Sequence, residues 1–102
     1  MPRFRETIPV DDYVFDVLMR DVVGHDRQPA AYLVYLYLYG QASRQKWKPV
    51  PASLRMLAEA TGLSKSAVQT AFDLLRRRQL IETTSDRATA TPEHRVLRHW
   101  RK

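Results

Sequence analysis

Apolar residues recur along this chain with two different periods, and the change between them lays out its elements. Val14, Val17, Leu18 and Val22 follow helical spacing and predict a helix over residues 11–23. Asp11 or Asp12 stands where a cap is needed, acids crowd the first turn where the helix dipole favours them, and Gly24 offers the stop. Ahead of it, Pro2 and Pro9 block regular structure, so residues 1–10 read as an extended arm. His25-Asp26-Arg27-Gln28 is a polar linker.

Pro29 suits the first turn of a helix, which runs from Ala30 to about Arg44. The alternation Tyr32-Leu33-Val34-Tyr35-Leu36-Tyr37-Leu38-Tyr39 also fits a strand, but the proline start, the alanines and the length favour helix. As a helix it carries one stripe of Leu33, Leu36, Tyr37 and Gly40 and another of Tyr32, Tyr35 and Tyr39, so two sides need burial. Residues 45–51, with two prolines, form a loop with scope for a brief strand. Ser53 caps a short helix to about Ala60, Thr61-Gly62-Leu63 turns the chain, and Ser64 caps a longer helix to about Arg78. Period-two spacing returns at 80–84 and again at 95–100, with a polar, threonine-rich stretch between.

Composition narrows the function. The length of 102 residues suits one domain with one core. Without cysteine there is no disulfide framework, thiolate zinc site or cysteine nucleophile. No apolar run approaches the ~18 residues a membrane helix needs, and Met1-Pro2-Arg3-Phe4-Arg5-Glu6 lacks the apolar core of a signal peptide. The expectation is a cytoplasmic protein without membrane contact. Residues 1–40 carry net charge −2 and residues 41–102 net +8, and a basic half favours a polyanionic partner.

The informative stretch is SLRMLAEATGLSKSAVQTAFDLLRRRQLIE, residues 53–82. Two helices meet at Gly62, which supplies the positive φ of a tight corner, and Leu57, Ala58, Leu63, Val68, Ala71, Phe72 and Leu75 bury between them. Left outward at the start of the second helix are Ser64, Lys65, Ser66, Gln69 and Thr70: hydroxyls, an amide and a cation, the groups that reach phosphates and base edges.

This segment resembles the winged helix-turn-helix of GntR-type bacterial regulators and of related modules in plasmid and phage replication proteins. The resemblance rests on Pro51, Ser53, Arg55, Leu57-Ala58, Gly62-Leu63-Ser64-Lys65, Val68, Ala71, Leu75 and Leu80-Ile81, and covers about 29–100. It implies a mainly α (α+β) fold: N-terminal helices over 11–44, a helix-turn-helix over 53–78, and a two-stranded wing over 80–100. It also implies binding of double-stranded DNA, in transcription regulation or replication initiation. Ser53 and Ser64 would cap and touch phosphate; Arg55 would grip the backbone; Lys65, Ser66 and Gln69 would enter the major groove, with Thr70 beside them. Arg76-Arg77-Arg78 ends the second helix, where the dipole alone accounts for at least two of the three, leaving Arg76 as the DNA candidate. Arg87 at the wing tip, with Thr89 and Thr91, fits a minor groove and its phosphates; a polar hairpin without DNA reads the same way. Trp100, within the basic tail Arg98, Arg101 and Lys102, reads as a plug against the wing.

Two departures stand out. Gln79 occupies the helix end where the family has glycine, and the chain stops after the wing with no effector domain, so no small-molecule effector is implied. No cofactor or catalysis is expected either. His25, His94 and His99 lack metal spacing, three glycines make no phosphate-cradling loop, and Asp11-Asp12 is better used as a cap. The competing reading is a winged helix acting as a protein-interaction module. A homodimer is expected through Tyr32, Tyr35 and Tyr39, unless the first helix covers that stripe within the chain.

Overall fold

The elements of the computed structural model, which describes residues 6–85 and 91–101, follow from where the chain buries apolar surface while satisfying its backbone. Residues 6–10 have no regular structure, in keeping with the arm. They cross the longest helix at Gly40, and Ile8 Cδ1 stands 3.7 Å from where a Cβ there would lie.

Val14–His25 is helical but of π type, and the N–H of Asp26 reaches the Asp21 carbonyl, five residues back, at 2.8 Å. Its buried residues, Val14, Leu18 and Val22, recur every four positions, a spacing that drifts on a 3.6-residue helix and stays aligned on a wider one. Gly24 does not end it. The helix runs on to His25 with Asp26 as its C-cap, and the left-handed residue that follows is Arg27, φ 56°. Neither Asp11 nor Asp12 caps it: Tyr13 is the N-cap, without a side-chain hydrogen bond, and the Asp11 carboxylate is taken up by the far end of the chain.

Helix α1 (Pro29–Arg44) is the centre of the molecule, packed against the π-helix, α2 (Leu54–Thr61), α3 (Lys65–Arg77) and the strands β1 (Val50–Pro51) and β3 (Glu93–Val96). Its two stripes take the opposite roles from those expected. Tyr32, Tyr35 and Tyr39 are buried, at 6%, 1% and 1% exposure, and no surface is left on them for a second copy. Leu33 and Tyr37, from the other stripe expected to need burial, are 46% and 36% exposed. The reason lies in the hydroxyls, since a buried tyrosine must find a partner. Tyr32 donates to the Val14 carbonyl (2.9 Å), Tyr35 donates to the Leu97 carbonyl (3.0 Å), and Tyr39 accepts from the Asp11 N–H (3.2 Å). Each tyrosine therefore pins a different segment onto α1. The stripe is covered within the chain, by the π-helix together with the segments at Asp11 and Leu97.

The remaining strand is β2 (Ile81–Thr84), and the sheet is antiparallel in the order β1-β3-β2. Ile81 faces Val96, Thr83 faces His94, and Val50 also pairs with His94 from the other side. The returning strand lies earlier than expected, at Glu93–Val96 instead of 95–100. After Leu97, whose N–H bonds the Leu80 carbonyl at 2.9 Å, the chain leaves the sheet. Trp100 consequently plugs the N-terminal side and not the β2–β3 pair: it stacks on Tyr13 at 4.6 Å and donates to Asp11 Oδ2 at 2.8 Å. The described residues form an α+β domain of four helices and a small three-stranded sheet.

Candidate nucleic-acid interface

Helices α2 and α3 meet at Gly62, φ 79°, whose N–H closes on the Ala58 carbonyl at 2.9 Å. Thr61 fixes the corner twice, its hydroxyl donating to Leu57 O (2.6 Å) and accepting from Leu63 N–H (3.3 Å). Ser64 opens α3 by accepting from Ala67 N–H at 3.1 Å, and Ser53 opens α2 likewise from Met56 N–H at 3.1 Å. Leu57, Val68, Ala71, Phe72 and Leu75 are buried, while Ala58 and Leu63 pack partly buried around them.

That register decides what α3 presents outward. Lys65, Ser66, Gln69 and Thr70 are all exposed. Among the described residues, Lys65, Gln69 and Thr70 have no side-chain partner, and Ser66 only shares a 3.2 Å contact with the Ser64 hydroxyl. The Ser53 and Ser64 oxygens are already committed as caps, so any phosphate contact from them falls to the hydroxyl hydrogen. Arg55 is exposed and paired with Glu59 at 3.1 Å one turn along, a contact of the weak surface kind that a phosphate displaces readily. Arg87 and Thr89 lie outside the described residues.

The three arginines closing α3 separate cleanly. Arg76 is held by Asp73 (2.9 Å) and donates to Thr83 Oγ1 (3.3 Å), which spends it on the sheet instead of leaving it free. Arg78 grips Asp26 with both ends of its guanidinium, one bond at 2.9 Å. Arg77 is exposed and without a carboxylate partner among the described residues. The Arg78 guanidinium holds the Asp26 carboxyl at about 2, well below its usual value of 3.8. Arg101 and Trp100 push the Asp11 carboxyl down still further.

Behind the exposed face, one buried polar residue joins sheet to helices. His94 is 1% exposed and stacked on Phe72 at 4.5 Å. Its Nε2 lies 2.9 Å from the Ala52 carbonyl, an acceptor only, so Nε2 carries the proton. Nδ1 must then accept, and it lies 3.0 Å from the Thr83 hydroxyl, which in turn accepts from Arg76. The bonds run in one direction, from Arg76 through Thr83 to His94 and on to Ala52, the residue before the α2 cap. Burial pushes the His94 imidazole below its ordinary value, so the ring is held neutral. Because the expected returning strand begins at residue 95, His94 stands outside it; with β3 at Glu93–Val96, its alternation with Val96 turns it inward.

Among the described residues, no group of three or more His, Cys, Asp or Glu side chains is placed to hold a metal ion, and no helix is long and apolar enough to cross a membrane. No family of known proteins, no curated protein and no solved structure matches this chain.

Proposed function

We propose that this chain binds double-stranded DNA through a winged helix-turn-helix, with α3 as the recognition helix and the β2–β3 hairpin as the wing. The observation that carries the reading is the outward start of α3. Lys65, Gln69 and Thr70 stand exposed without side-chain partners among the described residues, on a helix whose other side is buried through Val68, Ala71, Phe72 and Leu75. A cation, an amide and hydroxyls within two helical turns suit a phosphate backbone and base edges together. The +8 charge of residues 41–102 supports a polyanion as the ligand. In the proteins this segment resembles, such domains serve transcription regulation or replication initiation.

A second reading, a protein-interaction module, draws on Phe15, Met19, Leu33 and Met56, which are between 42% and 52% exposed. Salt separates the two. In an anisotropy titration of a labelled random duplex at two salt concentrations, log K is expected to fall steeply with log salt, with a slope of about −0.9 per phosphate neutralised. Absent or salt-insensitive binding would overturn the DNA reading.

A further inference from the structure

The polar linker between the π-helix and α1 lies along one flank of α3. At the last turn of α3, Asp26 is bound by Arg78. Further along, Gln28 shares a concavity with Leu74 and Arg77, and Arg27, Pro29 and Ala30 share one of about 340 Å³ with Ser66, Ala67 and Thr70. Residues 26–30 thus track α3 from its end back to its exposed start.

Ion pairs then sort the cations on this flank. Arg76 and Arg78 are neutralised by Asp73 and Asp26. Arg27 and Arg77 are exposed and have no carboxylate partner among the described residues. Arg27 also takes a left-handed backbone, φ 56°, next to the ion-paired Asp26, which sets where its side chain leaves the chain. A solvated arginine in a loop needs neither a fixed backbone nor a shared concavity with the hydroxyls of the neighbouring helix.

We infer that Arg27 and Arg77, with the Ser66 and Thr70 hydroxyls, form a phosphate-contacting strip along the linker flank of α3. Guanidinium forks match phosphate oxygens bidentately, and hydroxyls donate to the same acceptors. The strip would hold the duplex backbone on the flank of α3 that the linker follows. This rests on the DNA-binding reading and extends it to a surface the helix-turn-helix segment does not include.

The test uses the full chain, a labelled random duplex and anisotropy across about a fourfold range of salt. Arg27→Ala and Arg77→Ala are each expected to weaken binding and to lower the salt slope by about one, and the double variant by about two. Arg27→Lys should retain the slope, since it keeps the charge. Arg27→Asn, which tolerates the left-handed backbone, should reproduce the alanine result with an unchanged melting temperature, separating loss of contact from loss of fold. Lys48→Ala serves as the control. Lys48 precedes β1 at the end of the sheet away from the β2–β3 connection, because Val50 pairs with His94 and Pro51 with Glu93, so its slope should match the parent. A parent slope retained by the double variant, or an equal loss from Lys48→Ala, overturns the strip and leaves DNA binding standing. A parent that binds duplex without salt dependence but captures an acidic peptide overturns both.

Discussion

Asp26 and Arg78, 52 positions apart, are joined by two hydrogen bonds between carboxylate and guanidinium. The pair ties the exit of the π-helix to the end of α3, with Asp26 only 14% and Arg78 31% exposed at the side chain. Removing the arginine leaves a poorly solvated carboxylate. Arg78→Leu is therefore expected to cost about 1–3 kcal/mol at pH 7, measured by urea unfolding. The pH dependence follows from the depressed Asp26 carboxyl. The pair contributes fully above the unfolded value of 3.8 and is lost as pH falls through about 2. The parent and Arg78→Leu should converge in stability across that window. A constant gap between them would refute the assignment.

The neutral, buried His94 makes a separate claim in a different pH range. Its folded-state value lies below the ordinary 6.5, so the unfolded chain binds the proton more tightly. Stability is then complete above about 6.5 and declines as pH falls below it, because protonating Nδ1 reverses the bond from Thr83 and sets an imidazolium toward Arg76. In His94→Gln the decline below about pH 6.5 should vanish, at a cost of about 1–3 kcal/mol at pH 7. Thermal melts across that range decide it. An unchanged decline places the titrating group elsewhere.

Gln79 closes α3 in a backbone conformation that suits glycine. Its φ is 58°, its N–H bonds Arg76 O at 3.0 Å, and the next N–H, of Leu80, bonds Leu75 O at 2.8 Å. These are the two hydrogen bonds of a Schellman motif, and Leu75 and Leu80, the apolar pair that accompanies it, are both buried. Left-handed backbone costs a non-glycine residue about 1–2 kcal/mol, partly offset in glycine by the freer unfolded chain. Gln79→Gly should stabilise by about 0.5–1 kcal/mol and raise the melting temperature by a few degrees. A lowered melting temperature would mean that the Gln79 side chain holds the turn.

The same residue illustrates how far the sequence is legible. The caps at Ser53 and Ser64, the corner at Gly62 and the buried set through Val68 and Leu75 follow from local rules, because each is satisfied within a few residues. The left-handed turn at Gln79 was visible as a misplaced side chain. What stayed hidden depends on partners distant in the chain. Nothing near Asp11 indicates that Trp100 and Arg101 occupy its carboxylate, so it reads as a cap. Nothing near Tyr35 shows that Leu97 offers its hydroxyl an acceptor, so the tyrosine stripe reads as an interface. At the candidate site, the exposed residues of α3 were legible from helical period. The committed state of Arg76 and the closeness of Arg27 to Ser66 and Thr70 required the fold.

Lys65 and Gln69 are predicted to contribute to DNA binding in different ways, although they stand one turn apart on the same exposed helix face. Lys65, in the first turn and without a carboxylate partner among the described residues, suits a phosphate, which has the same charge in every sequence. Lys65→Ala should weaken binding to all duplexes and lower the salt slope by about one. Gln69 carries no charge and offers a donor and an acceptor side by side, the pattern that adenine matches in the major groove. Gln69→Ala should leave the salt slope intact and cost about 1–3 kcal/mol only on a preferred site, obtained by selection from random duplexes. Because both side chains are exposed and have no partner among the described residues, neither change should shift the melting temperature noticeably. An equal loss on selected and random DNA for Gln69→Ala would move that residue to the backbone and leave base reading to other residues.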